Sequence, residues 1–244
     1  MISNGKFYES QFEEATIELL REAHWQYAFG DDIHRKYTDP LIEEDLRNFL
    51  AVQYKDKNLT TSEMDSIVAN LRNTGGQNDY YALRNTFLLY RDGYDFAYSD
   101  GRSNPFRLEY IDFEHPDHNI FRCVNQFVME QGRENRRPDI LLFINGIPVC
   151  IIELKNPTKQ NATIHDAHTQ ICTRYMRDIP ALLKYCALAV ISDGAKNALG
   201  TTYTPFEFFY EWKKIENEDK AGKGLDTLRT LIRGALSPEP VSYT

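Results

Sequence analysis

Three charged side chains interrupt a stretch that is otherwise built for a protein interior. Asp139 follows Pro138 and opens the run DILLFI, while Glu153 and Lys155 stand at the end of IPVCIIELK. Charged groups among Ile, Val and Leu are costly unless they are paired or perform chemistry. Aspartate and glutamate oxygens suit Mg²⁺ or Mn²⁺, hard cations that keep several of their own waters. Such a cation lowers the pKa of a bound water and polarises a phosphate. A neighbouring ammonium orients the attacking water or balances the charge of the transition state. These residue types therefore point to metal-assisted hydrolysis of a phosphodiester. The plainer alternative is a strand end carrying a salt bridge.

The chemistry requires the three side chains to meet, and this constrains the backbone. Asn145-Gly146 between two apolar runs is a strong hairpin signal, so Asp139–Ile144 and Ile147–Lys155 are expected to pair antiparallel. Residues two apart on a strand share a face, which puts Glu153 and Lys155 on one side. With a two-residue loop and perfect pairing, Ile144 meets Ile147 and Asp139 meets Ile152, which leaves Glu153 on the opposite face. A common face demands a three-residue turn with a bulge, a bulge near Pro148, or a ladder that ends before Asp139.

Around this hairpin the chain reads as helices first and strands later. Ser10-x-x-Glu13 and Thr60-x-x-Glu63 have the form of capping boxes, and helices are expected after each. Pro40–Tyr54 is amphipathic, and Asp79–Tyr90 fits a helix or a strand. Strands are expected at Phe106–Phe113, Ile120–Met129 and Ala187–Ser192, with a polar loop at GRENRRP. Helices are expected at Ala162–Arg177, long enough for a crossover to a parallel strand, and at Pro205–Lys214. The fold class is α/β: a mixed sheet of about four to six strands flanked by helices, with extra N-terminal helices.

The segment RRPDILLFINGIPVCIIELKNP resembles the PD-(D/E)xK nuclease motif in the R subunits of type I restriction endonucleases. YESQFEEATIELLREAHWQYAFG, EYIDFEHPDHNIFRCVNQF and RDIPALLKYCALAVISDG are also similar to the N-terminal domain of those subunits. The resemblance covers most of the chain. It implies a restriction-endonuclease-like fold, DNA cleavage and Mg²⁺ (or Mn²⁺) dependence. Asp139, Glu153 and Lys155 would be the catalytic set, with Asp139, Glu153 and the Leu154 backbone carbonyl on the metal. Such nucleases often add an acid from the first helix. Glu13 is the candidate, although the N3 position of a capping box accounts for it fully and is the preferred reading. The family tends to carry QxxxY after the hairpin, whereas this chain has Gln170 and Tyr175 five steps apart. On an α-helix that pair diverges by roughly 140°, so either the two do not act together or the helix is distorted. Arg136, Arg137 and Lys159 are candidate phosphate contacts. Arg133 is a further candidate, and a solvated loop in which Glu130 and Glu134 partner these arginines is the alternative, with the same ambiguity at Lys159.

By the same resemblance the chain is expected to be a piece of a longer, ATP-driven subunit. It would comprise one nuclease domain over residues 1–236, mainly helical to 92, with an α/β core over 93–214 and a C-terminal helix over 215–236. Residues 237–244 would link it to a helicase-like motor, with specificity and methyltransferase subunits as partners. No GxxxxGK[ST] occurs, so ATP belongs to the full-length subunit alone. A non-catalytic DNA-binding or docking module, and a standalone nuclease for branched or single-stranded DNA, are the other functions open to this sequence.

The totals are compatible with these readings. A net charge of −8 argues against coating nucleic acid by bulk electrostatics, but leaves room for a local basic channel. Neither a spanning apolar run nor a signal peptide is read, so a cytoplasmic location without membrane contact is expected. Cys123, Cys150, Cys172 and Cys186 form no CxxC, and buried reduced thiols are expected. His115 with His118, and His165 with His168, lack a second ligand cluster at zinc spacing and read as surface histidines.

Overall fold

The computed structural model describes residues 4–155, 163–215, 222 and 224–238, with the side chains of residues 4–9 excepted. Helix α1 (Asn4–Glu22) leads into strand β1 (Gln26–Phe29). Helices α2 (Glu43–Gln53), α3 (Thr61–Asn73) and α4 (Asp79–Asp92) follow, then a small hairpin of β2 (Tyr94–Phe96) and β3 (Phe106–Leu108). Next come β4 (Phe121–Asn125), the short hairpin β5 (Met129–Gln131) and β6 (Glu134–Arg136), and the central hairpin β7 (Ile140–Ile144) and β8 (Ile147–Leu154). A helix running from Ile164 to Asp178 starts as α5 (Ile164–Thr169), widens into a π-helical stretch (Gln170–Tyr175) and ends as α6 (Met176–Asp178). The chain continues through α7 (Pro180–Leu183), β9 (Leu188–Ser192), β10 (Asn197–Gly200) and α8 (Leu225–Ala235).

Six strands form one mixed sheet in the order β1-β4-β7-β8-β9-β10. β7 pairs antiparallel with β4 and β8, while β8 and β9 are parallel, as a helical crossover requires. Alternation along the central strands divides the core into two layers. Ile140, Leu142, Cys150, Ile152 and Val190 pack with Leu20 of α1 and Leu231 of α8. Leu141, Phe143, Ile151 and Ile191 face the other way, against Ile171 and Tyr175 of the π-widened helix. A third cluster joins α2, α3, the β2–β3 hairpin and the start of β8.

The hairpin turn is the two-residue type, with Asn145 and Gly146 both left-handed at φ 50° and 74°. A Cβ on Gly146 would collide with the Ile42 carbonyl. Asn145 is fully buried, and its side chain accepts from the Ile120 amide at 2.7 Å and donates to the Tyr110 carbonyl at 2.9 Å. The irregularity that the site demands lies further along. Leu142 pairs with Cys150 and Phe143 with Pro148, so Val149 is an extra residue in β8. Of the three solutions open to the sequence two occur together: a bulge next to Pro148, and a ladder that ends at Ile140, one residue short of Asp139. Proline has no amide hydrogen to give to the ladder, and a bulge is where its absence costs least.

Several local expectations are corrected. Ser10 and Glu13 lie inside α1, so they form no capping box, although Thr60 and Glu63 do. Phe106–Phe113 supplies only the three residues of β3, outside the main sheet, and Ile120–Met129 breaks into β4 and the start of β5. Part of the supposed loop GRENRRP is the strand β6. Pro205–Lys214 is not a helix. A single 3-10 turn at Phe206–Phe208 precedes Tyr210, whose amide and carbonyl pair with Leu199 at 2.8 and 2.9 Å. Backbone pairing with the sheet outcompetes the helical spacing of the aromatics. The last helix begins at Leu225 rather than residue 215. All four cysteines are free, with three of them buried, and no described helix is long and apolar enough to cross a membrane.

Candidate active site

The Val149 bulge shifts the register so that Ile140 pairs with Ile152, the last pair of the ladder, and the same register continued one step outward brings Asp139 toward Glu153. Both carboxylates thereby fall on the face that carries Leu141 and Ile151, beneath the π-widened helix. Asp139 is fixed from both sides. Its Oδ2 accepts the Leu154 amide at 2.8 Å, and its backbone carbonyl accepts the Gln126 amide at 3.2 Å.

Glu153 is 1% exposed, and a ring of hydrogen bonds runs through it. Lys155 Nζ donates to Glu153 Oε1 and to Gln170 Oε1, each at 2.8 Å. Gln170 Nε2 donates to the Tyr175 hydroxyl at 2.7 Å, and that hydroxyl donates to Glu153 Oε2 at 3.3 Å. Burial, reinforced by the charge of Asp139, holds the Glu153 carboxyl well above the ordinary carboxylate range, while Lys155 and Tyr175 pull it back. Burial and Glu153 likewise raise the Tyr175 hydroxyl, which stays a neutral donor.

The five-step spacing of Gln170 and Tyr175 is reconciled by the backbone. Gln170–Tyr175 is π-helical, and i→i+5 bonding brings residues five apart onto one face. The helix is distorted, and the two side chains touch because it is.

Glu13 reaches the site at one remove. Its carboxylate accepts from Asn125 Nδ2 at 2.7 Å and from Gln126 Nε2 at 3.0 Å. Among the described residues it forms no group with Asp139 and Glu153 whose donor atoms all lie within 4.8 Å. Gln126, left-handed at φ 55°, links Glu13 to Asp139 through its side chain and its amide. Neither Asn125 nor Gln126 stood out in the sequence. The available signal was a polar pair inside the apolar run CVNQFVM, the same kind of interruption that marks Glu153.

The basic candidates separate. Arg136 is committed to structure, pairing with Glu134 and donating to the buried Asp178 at 2.7 Å. Arg137 is exposed beside Pro138 and Asp139. Lys159 lies outside the described residues. The donor set at the centre is two carboxylates, to which the resemblance would add the peptide carbonyl of Leu154, whose amide already donates to Asp139. All are hard oxygen donors, and the electrostatic strain between Asp139 and Glu153 is the kind a divalent cation relieves, so the residues fit Mg²⁺ or Mn²⁺.

Residues 6–208 match the family model described as the N terminus of the type I restriction enzyme R protein. The chain is 31% identical over 244 aligned residues to the HindI type I restriction enzyme endonuclease subunit of Haemophilus influenzae, covering 95% of this chain and 23% of that protein. It is 30% identical over 215 residues to the MjaIXP endonuclease subunit of Methanocaldococcus jannaschii, covering 85% of this chain and 20% of that protein. The chain thus spans about a quarter or less of the length of these relatives. With a family model covering most of its residues, it belongs to the type I restriction enzyme R protein family and corresponds to the N-terminal part of that protein.

Proposed function

We propose that this chain is the nuclease portion of a type I restriction enzyme R subunit and that it hydrolyses DNA phosphodiesters with a divalent metal. The observation that carries the reading is the Val149 bulge, whose register brings Asp139, just past the end of the ladder, close enough for its charge to act on Glu153, which Lys155 and Tyr175 hold. A plain salt bridge at a strand end requires neither a bulge nor a buried carboxylate. The endonuclease subunits it resembles support the same reading.

Asp139, Glu153 and the Leu154 carbonyl would hold Mg²⁺ or Mn²⁺, which when bound polarises the phosphate and acidifies a water. Lys155, held between Glu153 and Gln170, positions its ammonium beside the carboxylates. There it orients the attacking water and balances the charge gathering on the phosphate. Gln170 and Tyr175 hold Lys155 and Glu153 in place from the helix above. Arg137 is an exposed candidate for a flanking phosphate. Residues 1–236 act as one domain, and the full-length subunit adds an ATP-driven, helicase-like motor. Specificity and methyltransferase subunits supply recognition in a cytoplasmic complex.

Two measurements test this. Supercoiled plasmid is incubated with Mg²⁺ and either the wild-type chain or Lys155→Ala, and Mn²⁺ is titrated into the wild type and Asp139→Ala. Wild-type nicking that Lys155→Ala lacks, together with Mn²⁺ binding that Asp139→Ala lacks, is the expected result. Mn²⁺ affinity indifferent to Asp139 would mean that the fold serves as a scaffold.

A further inference from the structure

A second constellation lies at the opposite end of the sheet. Asp112 is buried, and Pro116–His118 forms a 3-10 turn that carries two histidines back to it. One donor atom from each of Asp112, His115 and His118 lies within 4.8 Å of the other two. His118 Nδ1 is 3.0 Å from Asp112 Oδ2, and His115 Nδ1 is 3.7 Å from Asp112 Oδ1. The imidazoles lie side by side, with centroids 5.0 Å apart and planes at 17°. They are 61% and 50% exposed, so a cation in solution can reach them. Ligand atoms at zinc distances around a tetrahedron are separated by roughly 3.3 Å, and the two contacts to Asp112 bracket that value.

The carboxylate is already held in position. Asp112 Oδ1 accepts the Glu114 and His115 amides at 3.1 and 2.8 Å, and Gln53 Nε2 donates to Oδ2 at 2.9 Å. Asn119 clamps the same turn from the other side, accepting the Asp112 amide at 2.9 Å and donating to its carbonyl at 2.7 Å. Asn145 of the hairpin turn donates to Asn119 at 2.7 Å, so the loop is tied to the sheet. Partners that orient a ligand in this way are a usual companion of metal binding.

The geometry points to a surface site for a borderline divalent cation of the zinc class, bound by Asp112, His115 and His118 and independent of the site at Asp139. Coordination through His118 Nδ1 uses that nitrogen's lone pair, so the bound ring carries its N–H at Nε2. Three protein ligands leave at least one position for water. Two imidazoles favour Zn²⁺, Ni²⁺ or Cu²⁺ over Mg²⁺. β8 runs between the hairpin turn and Glu153, and the six residue steps from Ile147 to Glu153 separate the two ends by roughly 20 Å. The bound cation would pin the 112–119 turn to the hairpin end.

The test is calorimetric titration of Zn²⁺ into the tag-free chain, the Asp139→Ala variant and the His115→Ala/His118→Ala double variant. The exposed histidines can be replaced without disturbing the core. The expected result is one equivalent of roughly micromolar affinity that persists in Asp139→Ala, beside any Zn²⁺ the Asp139 site takes up, and that is weakened at least about a hundredfold in the double variant. A wild type that binds nothing at about 100 µM Zn²⁺, or a double variant that binds as tightly as wild type, overturns the assignment. Binding lost in Asp139→Ala but kept in the double variant also overturns it, because the cation would then sit at the other site.

Discussion

Replacing Glu153 by glutamine should make the metal-free protein more stable while destroying its capacity to bind metal. Glu153 is 1% exposed, and burial together with Asp139 raises its pKa. Lys155 and Tyr175 favour the charged form and the pKa is raised in spite of them, so carrying the charge above that pKa costs about 1.4 kcal/mol for each pH unit of the rise, a cost that a neutral amide of the same volume avoids. The amide keeps an acceptor for Lys155, but it turns a second donor toward a Tyr175 hydroxyl that already accepts from Gln170. That forfeits one hydrogen bond worth about 1 kcal/mol. At about pH 8 the net effect is a gain of up to roughly 3 kcal/mol, and each kcal/mol moves Tm by about 2–4 °C in a chain of this size. The sign with pH follows from linkage. Because the folded pKa lies above the ordinary 4.5, the native state holds more protons than the unfolded chain between 4.5 and the raised value. Stability therefore falls as pH rises through that window. Thermal unfolding in EDTA should show Glu153→Gln ahead of wild type at about pH 8, with the margin shrinking toward pH 5. Added Mg²⁺ should raise the wild-type Tm and leave the variant unmoved. A variant less stable than wild type by more than about 1 kcal/mol, with the same deficit at both pH values, would refute the claim that this carboxylate is held against a desolvation cost.

Asp139→Asn keeps an acceptor for the Leu154 amide, so urea unfolding should shift by less than about 1 kcal/mol while Mn²⁺ affinity falls at least about tenfold. Deleting Val149 removes the bulge and turns either Asp139 or Glu153 toward the α1–α8 layer. The expected loss is at least about 3 kcal/mol, read by circular dichroism, and a folded product with wild-type Mn²⁺ affinity would contradict the register argument. Deleting the exposed Thr173 restores a four-step spacing between Gln170 and Tyr175, which an ordinary α-helix also aligns. Nicking should stay within about tenfold of wild type, and its abolition would show that the π turn does more than absorb one residue. Because metal binding must displace protons from the strained carboxylate pair, Mn²⁺ affinity should rise with pH above 4.5, measured by titration at several pH values.

The central hairpin is legible because Asn145-Gly146 is a local signal with one common structural meaning, and counting outward from it shows that an odd turn, a bulge or an early end to the ladder is required. The crossover helix and β9 were legible from length and from the apolar run ALAVIS. β1 and β10 were missed because each is a four-residue strand at an edge of the sheet, too short to show alternation. The two capping-box patterns look identical in sequence, yet only Thr60-x-x-Glu63 caps a helix, because α1 starts well before Ser10. The roles of Gln126 and of Asp112 depend on contacts between segments distant in the chain or across a turn, and spacing rules for known motifs do not encode those.

The widened turn at Gln170–Tyr175 separates two quantities that pattern searches treat as one, the count of residues between two functional groups and the distance between the groups. Here the count has grown by one step and the partners still touch. The surplus residue is swallowed inside a single coil of backbone, so Ile179 and Leu182 downstream keep their seats in the same core as Ile171 upstream. A filter with rigid gaps would reject this pair, whereas one that asks which residues look toward the sheet would keep it. In helices of this kind, insertions can accumulate without moving the groups that matter, and the trace they leave is a change of pitch rather than a change of contact.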